Sequence, residues 1–338
     1  MKALVKRGSA DMGIENIAEP TPQKHEIKIK VLAAGICGTD IHIMKDEYPY
    51  NAPVVMGHEY VGVIDEVGAE VDHFKRGDSV VSLTAVKTCG KCRYCQEGAL
   101  MLCPERLSIG SGVNGAFAEY LTVPARLAYR VPAGVASVED LAITEPFACA
   151  VRAVVERSSV TAGDLVLISG PGTIGLLALQ LAKIQGGYVI VVGTSEDEKR
   201  LDLAKKLGAD LVLSEPDDLN RLVNEITPDG VDVAFECAGV EASGEKCLQV
   251  LRKQGIFSQV GLYGRKIAIN MDQFLYKEIT VTTNFASEPT SWDKALRLIK
   301  NNQVNLHSLI SARIPLEEWE KGFELFFDKS NLKIFLVP

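Results

Sequence analysis

Leu165-Val166-Leu167-Ile168-Ser169-Gly170-Pro171-Gly172-Thr173-Ile174-Gly175 joins an unbroken apolar run to three glycines spaced G-x-G-x-x-G. Such a run reads as a parallel strand covered on both faces. Beyond it, Leu176, Leu179 and Ala182 recur at helical spacing. Strand before and helix after is the context in which this glycine pattern carries meaning. Gly170 permits the tight turn, Gly172 lets a pyrophosphate approach the backbone, and Gly175 lets helix and strand pack closely. The helix N-terminus, which includes Thr173 and Ile174, favours the ligand's negative charge.

Working outward, the same grammar continues. Strands are expected at Tyr188–Val192, Leu211–Leu213, Val231–Glu236, 256–260 and 279–283. Helices are expected after Ser195-x-x-Glu198, a capping-box pattern, and at Leu219–Ile226 and 242–251. Six strands alternating with helices fit an α/β fold with a doubly wound Rossmann sheet over residues 147–287. Val260 and Gly261, ending the fifth strand, are counted among its cofactor-binding residues. Residues 288–338, with a helix at 292–300, are expected to return to the first domain.

The end of the second strand bears on coenzyme choice. A carboxylate there would hydrogen-bond the ribose hydroxyls and repel a 2′-phosphate. The chain instead has Gly193-Thr194-Ser195, with Lys199 and Arg200 following, and these can donate to a phosphate. Glu196, Asp197 and Glu198 crowd the same turn and can take the ribose. NADP(H) is favoured, with NAD(H) the alternative.

Residues 1–146 read differently, as short strands and loops. Period-two alternation at 26–31 and glycine-bounded β-rich runs at 60–68 and 78–81 suggest a small, mainly-β, barrel-like domain. Cys37-Gly38-Thr39-Asp40-Ile41-His42 and Gly57-His58-Glu59 lie at its strand ends. A thiolate, an imidazole and a carboxylate suit zinc, and three protein ligands leave a position open, as in catalytic sites. Cys89-x2-Cys92-x2-Cys95-x7-Cys103, within a lobe spanning about 87–105, can close as a tetrahedral thiolate cage. That second zinc would be structural.

The 338 residues carry 36 Lys and Arg against 44 Asp and Glu, a formal charge of −8. Nothing in this balance calls for a nucleic-acid or acidic-membrane partner. No apolar run approaches the roughly 20 residues of a membrane span. A cytoplasmic protein is expected, and in that compartment eight cysteines are metal ligands or core residues rather than disulfides.

These motifs together resemble the zinc-dependent medium-chain alcohol and polyol dehydrogenases. The resemblance rests on Gly57-His58-Glu59-x2-Gly62-x5-Gly68, Cys37-Gly38-Thr39-Asp40-x-His42, Gly115-x-Phe117-Ala118-Glu119-Tyr120 and the four-cysteine lobe, with Glu145-Pro146 pointing to the sorbitol, threonine and polyol-phosphate branch. It implies a GroES-like catalytic domain beside the Rossmann domain. It also implies hydride transfer between a secondary alcohol or its ketone and the nicotinamide. The non-catalytic alternative, a binding protein on the same fold, typically loses the metal ligands, and none is missing.

By the same resemblance Cys37 and His58 bind the catalytic zinc, with Glu59 a ligand or alternating near-ligand and Glu145 a further exchanging carboxylate. Thr39 accepts the alcohol proton and relays it through the cofactor ribose to His42, while Asp40 orients the zinc histidine. The polyol clamp of the sorbitol-type enzymes is absent from Asn284-Phe285-Ala286-Ser287. A polyol, a polyol phosphate, a threonine-type substrate or another small secondary alcohol therefore all stand. Relatives of this type imply a homo-oligomer, a tetramer over a dimer.

Overall fold

The structure, a computed structural model, describes residues 1–135 and 137–338. It divides into two compact units. One comprises Met1–Pro146, Ser287–Asn302 and Ile310–Pro338; the other comprises Phe147–Ala286 and Gln303–Leu309. The C-terminal stretch is thus split: residues 303–309 pack with the second unit, where Gln180 and Asn305 exchange hydrogen bonds of 2.7 and 3.3 Å.

The second unit is built on a six-stranded parallel sheet. In spatial order its strands are Leu211–Leu213, Tyr188–Val192, Leu165–Ser169, Val231–Glu236, Leu251–Gln259 and Thr280–Thr283. Numbered along the chain this is 3-2-1-4-5-6, the doubly wound order, with its reversal between the first and fourth strands. Leu165–Ser169 is buried throughout, which explains why it is apolar without alternation. Thr173–Ile184 follows as a helix whose Leu176, Leu179 and Ala182 are all buried. The capping box expected at Ser195 and Glu198 lies one residue earlier. Thr194 is the N-cap and Asp197 closes the box, because the buried side chain is that of Asp197, while Glu198 is exposed.

The first unit holds a seven-stranded and a three-stranded sheet. Its central strand, Glu26–Gly35, pairs with Glu59–Val67 on one side. On its other side it pairs with Tyr120–Pro124 near its start and with the C-terminal strand Lys333–Val337 near its end. The core beneath includes Leu4, Ile27, Ile29, Ile64, Phe117 and Leu336, all 2% exposed or less. Trp292, from the returning helix Pro289–Lys300, is buried and stacks on Tyr129 at 5.5 Å.

Candidate functional site

Strand register assembles the first site. Gly35 is paired antiparallel with Glu59, so the residues just past the end of one strand meet those just before the start of the other. Cys37, His58 and Glu59 each bring a ligand atom to within 4.8 Å of the others. Gly35 is required here for space. A Cβ at that position would sit 2.4 Å from Glu59 Oε2, so the carboxylate fills the place a side chain would take.

Asp40 is fully buried and faces this cluster. One carboxylate oxygen accepts the Cys37 N–H at 2.9 Å. The other lies 3.8 Å from His58 Nδ1 and has no hydrogen-bond partner among the described residues. Burial pushes the Asp40 carboxyl above its ordinary value. Burial alone would lower His58, but Cys37, Asp40 and Glu145 outweigh it and hold the imidazole well above its ordinary value. So much negative charge around one histidine, with a buried carboxylate oxygen aimed at its ring, is a setting that a divalent cation bound on the ring's other nitrogen would complete. The donor set and its surroundings fit zinc.

One participant was not read from the sequence. Lys333 lies 2.6 Å from Glu59 Oε2, with side-chain exposures of 5% and 1%. Its ammonium also donates to the Ile36 carbonyl at 3.0 Å. Nothing near Lys333 in the sequence marks it, because a lysine opening a strand is ordinary. Only the pairing of Phe335 with Gly35 carries it to the cluster.

Thr39, Asp40 and His42 all lie on the helix Gly38–Met44. The Thr39 hydroxyl is 3.8 Å from Cys37 Sγ. His42, one turn further on, is partly exposed, with Nδ1 2.9 Å from Glu47 Oε2. Glu145 opens the helix Thr144–Val151 and is buried.

The four cysteines form a separate cluster with all four sulfurs within 4.8 Å of one another. Three of their separations are 3.5, 3.7 and 3.9 Å. A tetrahedron with Zn–S bonds of 2.3 Å has edges of about 3.8 Å. Gly90 and Gly98, both at positive φ, make the turns that fold the lobe. The N–H groups of Lys91 and Cys92 hold the Cys89 thiol down at about 6. Cys92, although the Cys95 N–H favours its thiolate, is pushed up to about 11 by burial and by Cys89. Closely spaced thiols resist ionising together, and a central cation removes that resistance.

In the second unit the three glycines form a close strand-to-helix turn. Gly170 has φ +104, and a Cβ there would meet Ala238 N at 2.8 Å; a Cβ on Gly175 would meet Gly170 O at 2.0 Å. Gly172, the N-cap of Thr173–Ile184, has open space where its Cβ would be. Val260 and Gly261 both donate their N–H to the Glu236 carbonyl, which sets them beside the Ala238–Gly239 turn.

The group Gly193, Thr194, Ser195 and Arg200 shares its turn with an acid, as the sequence suggests. Buried Asp197 sits among them. One of its oxygens accepts from Thr194 N at 3.0 Å and Thr194 Oγ1 at 2.9 Å, and the other lies 3.3 Å from Arg200 Nη1. A Cβ on Gly193 would come within 2.9 Å of Pro171 Cγ and 3.0 Å of Asp197 Cβ, so any side chain there would require these neighbours to shift.

Residues 23–133 match the alcohol dehydrogenase GroES-like domain family, and residues 173–301 match the zinc-binding dehydrogenase family. A sorbitol dehydrogenase of Halalkalibacterium halodurans is 40% identical over 100% of this chain and 99% of its own. A D-arabitol-phosphate dehydrogenase of Enterococcus avium is 37% identical over 99% and 97%. The chain belongs to the zinc-dependent medium-chain alcohol and polyol dehydrogenases. Among solved structures, a zinc-binding dehydrogenase of Sinorhizobium meliloti bound to NADP superposes with TM-score 0.91 at 30% identity, covering 100% of this chain and 99% of that one. This dehydrogenase is therefore an oxidoreductase of alcohols that uses zinc and a nicotinamide coenzyme. Among the described residues, no helix is long and apolar enough to cross a membrane.

Proposed function

We propose that this dehydrogenase interconverts the secondary alcohol and the ketone of a polyol or polyol phosphate at Cys37, His58 and their neighbours. The observation that carries this is the Gly35–Glu59 register, which gathers the three ligand atoms beside buried Asp40. Zinc would supply Lewis acidity toward the alcohol oxygen, and the nicotinamide would accept the hydride. Cys37 and His58 are the fixed ligands in this reading. Glu59 has one oxygen committed to Lys333 and one left for the metal, and Glu145 is the carboxylate that exchanges with it. Asp40 sets the His58 ring. The Thr39 hydroxyl takes the alcohol proton as it gives up its own, which would pass through the coenzyme ribose to His42; His42, partly exposed, passes it to water.

Polyols and their phosphates are favoured as substrates because the two relatives above are a sorbitol and an arabitol-phosphate dehydrogenase. A threonine-type or other small secondary alcohol is the alternative, motivated by the missing clamp at 284–287. For the coenzyme, Arg200 and the Ser195 hydroxyl favour NADP(H), but Asp197 offsets part of the Arg200 charge. The expected preference is modest, with NAD(H) also accepted. A coenzyme-reduction screen over polyols, polyol phosphates and threonine, with metal analysis alongside, tests the reading. Turnover confined to substrates outside this set would refute it.

Assembly through the outer edge of the parallel sheet belongs to the same proposal. Among the described residues Thr280–Thr283 pairs with a strand on one side only, and Val281, Met271, Leu275 and Tyr276 nearby are 50–74% exposed. An open strand edge flanked by exposed apolar side chains is a liability unless a second copy covers it. A homo-oligomer follows, tetramer over dimer, and sedimentation showing only monomer at micromolar concentration would contradict it.

A further inference from the structure

After Gly38–Met44 the chain turns back on itself at a residue in an unfavourable conformation. Asp46 has φ +61, in the left-handed region that side chains other than glycine's seldom adopt. Its carboxylate is held from four directions. Lys6 Nζ lies 3.0 Å away and its side chain is fully buried. Tyr50 Oη donates at 2.5 Å, Ser9 Oγ at 2.9 Å and Ala10 N at 3.1 Å. Lys6 Nζ also donates to the Met44 carbonyl at 3.1 Å, tying the end of the helix to the same anchor. Aspartate tolerates this conformation better than most residues, and these partners fix it there.

What the turn achieves is the placement of Glu47. Its N–H donates to the His42 carbonyl at 2.8 Å, and its Oε2 reaches His42 Nδ1 at 2.9 Å. An exposed ion pair of this kind contributes about 0–1 kcal/mol to stability, so stability does not explain it. An ionised carboxylate accepts hydrogen bonds only. Opposite Glu47, a proton on Nδ1 of the neutral ring makes this contact a hydrogen bond and leaves Nε2 bare.

We propose that Glu47 is a positioning residue that fixes His42 as the Nδ1–H tautomer, with the bare Nε2 as the atom that receives the proton released in alcohol oxidation. The proton adds to Nε2 and forms the imidazolium, which Glu47 holds through Nδ1–H; Nε2–H then gives that proton to water and the neutral tautomer returns. The proposal rests on the reading of His42 as the outlet of the relay.

The test has two arms. Magic-angle-spinning NMR of 15N-histidine protein at about pH 9, well above the roughly 6.5 of an ordinary imidazole, reads the tautomer, with His42→Ala assigning the signal. The expected result is Nδ1–H in the wild type and a change to Nε2–H in Glu47→Ala. A wild-type His42 already in the Nε2–H form would overturn the proposal. In the second arm, kcat for the best alcohol of the substrate screen should fall on the order of tenfold in Glu47→Ala, the low end of losses on removing a histidine's orienting carboxylate. Coenzyme KM and melting temperature should not move, Glu47→Asp should restore part of the loss, and Glu47→Ala should cost nothing further in a His42→Ala background. Unchanged kcat in Glu47→Ala beside a slowed His42→Ala would sink the role of Glu47 alone. Unchanged kcat in His42→Ala would remove the relay reading and this proposal with it.

Discussion

The ammonium of Lys333 lies 2.6 Å from Oε2 of Glu59, and both side chains are almost sealed from solvent. The two residues are separated by most of the chain, and they meet because the strands that carry them flank Glu26–Gly35 on opposite sides. Removing one partner of a buried pair strands the other charge, whereas making the pair costs nearly as much desolvation as it returns in attraction. Lys333→Met should therefore lower unfolding free energy by about 3–5 kcal/mol. Catalytic zinc, by offering Glu59 a second partner, should reduce that loss. Urea denaturation of both proteins with and without added zinc measures it, and an unchanged midpoint would contradict the buried pairing.

Asp46 gives a prediction on the acid side. The Tyr50 hydroxyl, the Lys6 ammonium and the Ser9 hydroxyl hold its carboxyl well below the ordinary value of 3.8. A depressed folded-state value means the stabilisation is fully present above the unfolded-state value and is lost as pH falls through the folded one. Asp46→Asn keeps the left-handed turn accessible, since asparagine tolerates that conformation, but removes the charge. Wild type should be the more stable at pH 6, and the difference should close as the pH falls below 3.8. A gap that stays constant to acid pH would show that the charge is not involved.

The proposed coenzyme preference makes Asp197 count as much as Arg200. Arg200→Ala should lower the NADP-to-NAD ratio of kcat/KM by about 1.5–3 kcal/mol, the scale of one hydrogen bond to a charged group. Asp197→Asn should move the ratio the other way, because it removes the carboxylate that competes with a 2′-phosphate for Arg200. Gly193→Asp is uninformative, since its Cβ would collide with Pro171 and Asp197. If both variants left the ratio where it was, the turn would play no part in the preference.

The Thr39 hydroxyl lies 3.8 Å from Sγ of the candidate metal ligand Cys37. Thr39→Ala should cut kcat on the order of 10²–10⁴-fold, the range for acid–base groups, with coenzyme affinity unchanged. Thr39→Ser should retain most turnover. An active alanine variant would take Thr39 out of the mechanism.

What could be read in the sequence was whatever lay in local spacing. The strand at Leu165–Ser169, the glycine turn after it and the four-cysteine lobe each declare themselves within a few residues, because burial on both faces, backbone approach and metal geometry constrain neighbours. Cys37, His58 and Glu59 were readable as ligand types, but their convergence follows from the Gly35–Glu59 register, which no local pattern encodes. Lys333 was unreadable for the same reason. The sequence offers Asp197 only as one of three neighbouring acids able to take the ribose, with nothing to single it out. The capping geometry that turns it inward differs by one residue from the box expected at Ser195, and that shift reverses which acid is buried. Glu47 stands five residues from His42, and without the left-handed turn at Asp46 it would not reach it.

Zinc content per chain tests the central claim most directly, measured on protein purified without chelator. Among the described residues there are two ligand clusters, each of which could hold one ion. The wild type should therefore contain two zinc ions per chain, and Cys37→Ala should contain one, with the four-cysteine site filled and no alcohol-dependent reduction of coenzyme. A Cys37→Ala protein that still holds two zinc ions and still turns over would contradict the assignment of Cys37 and His58 as the catalytic metal centre.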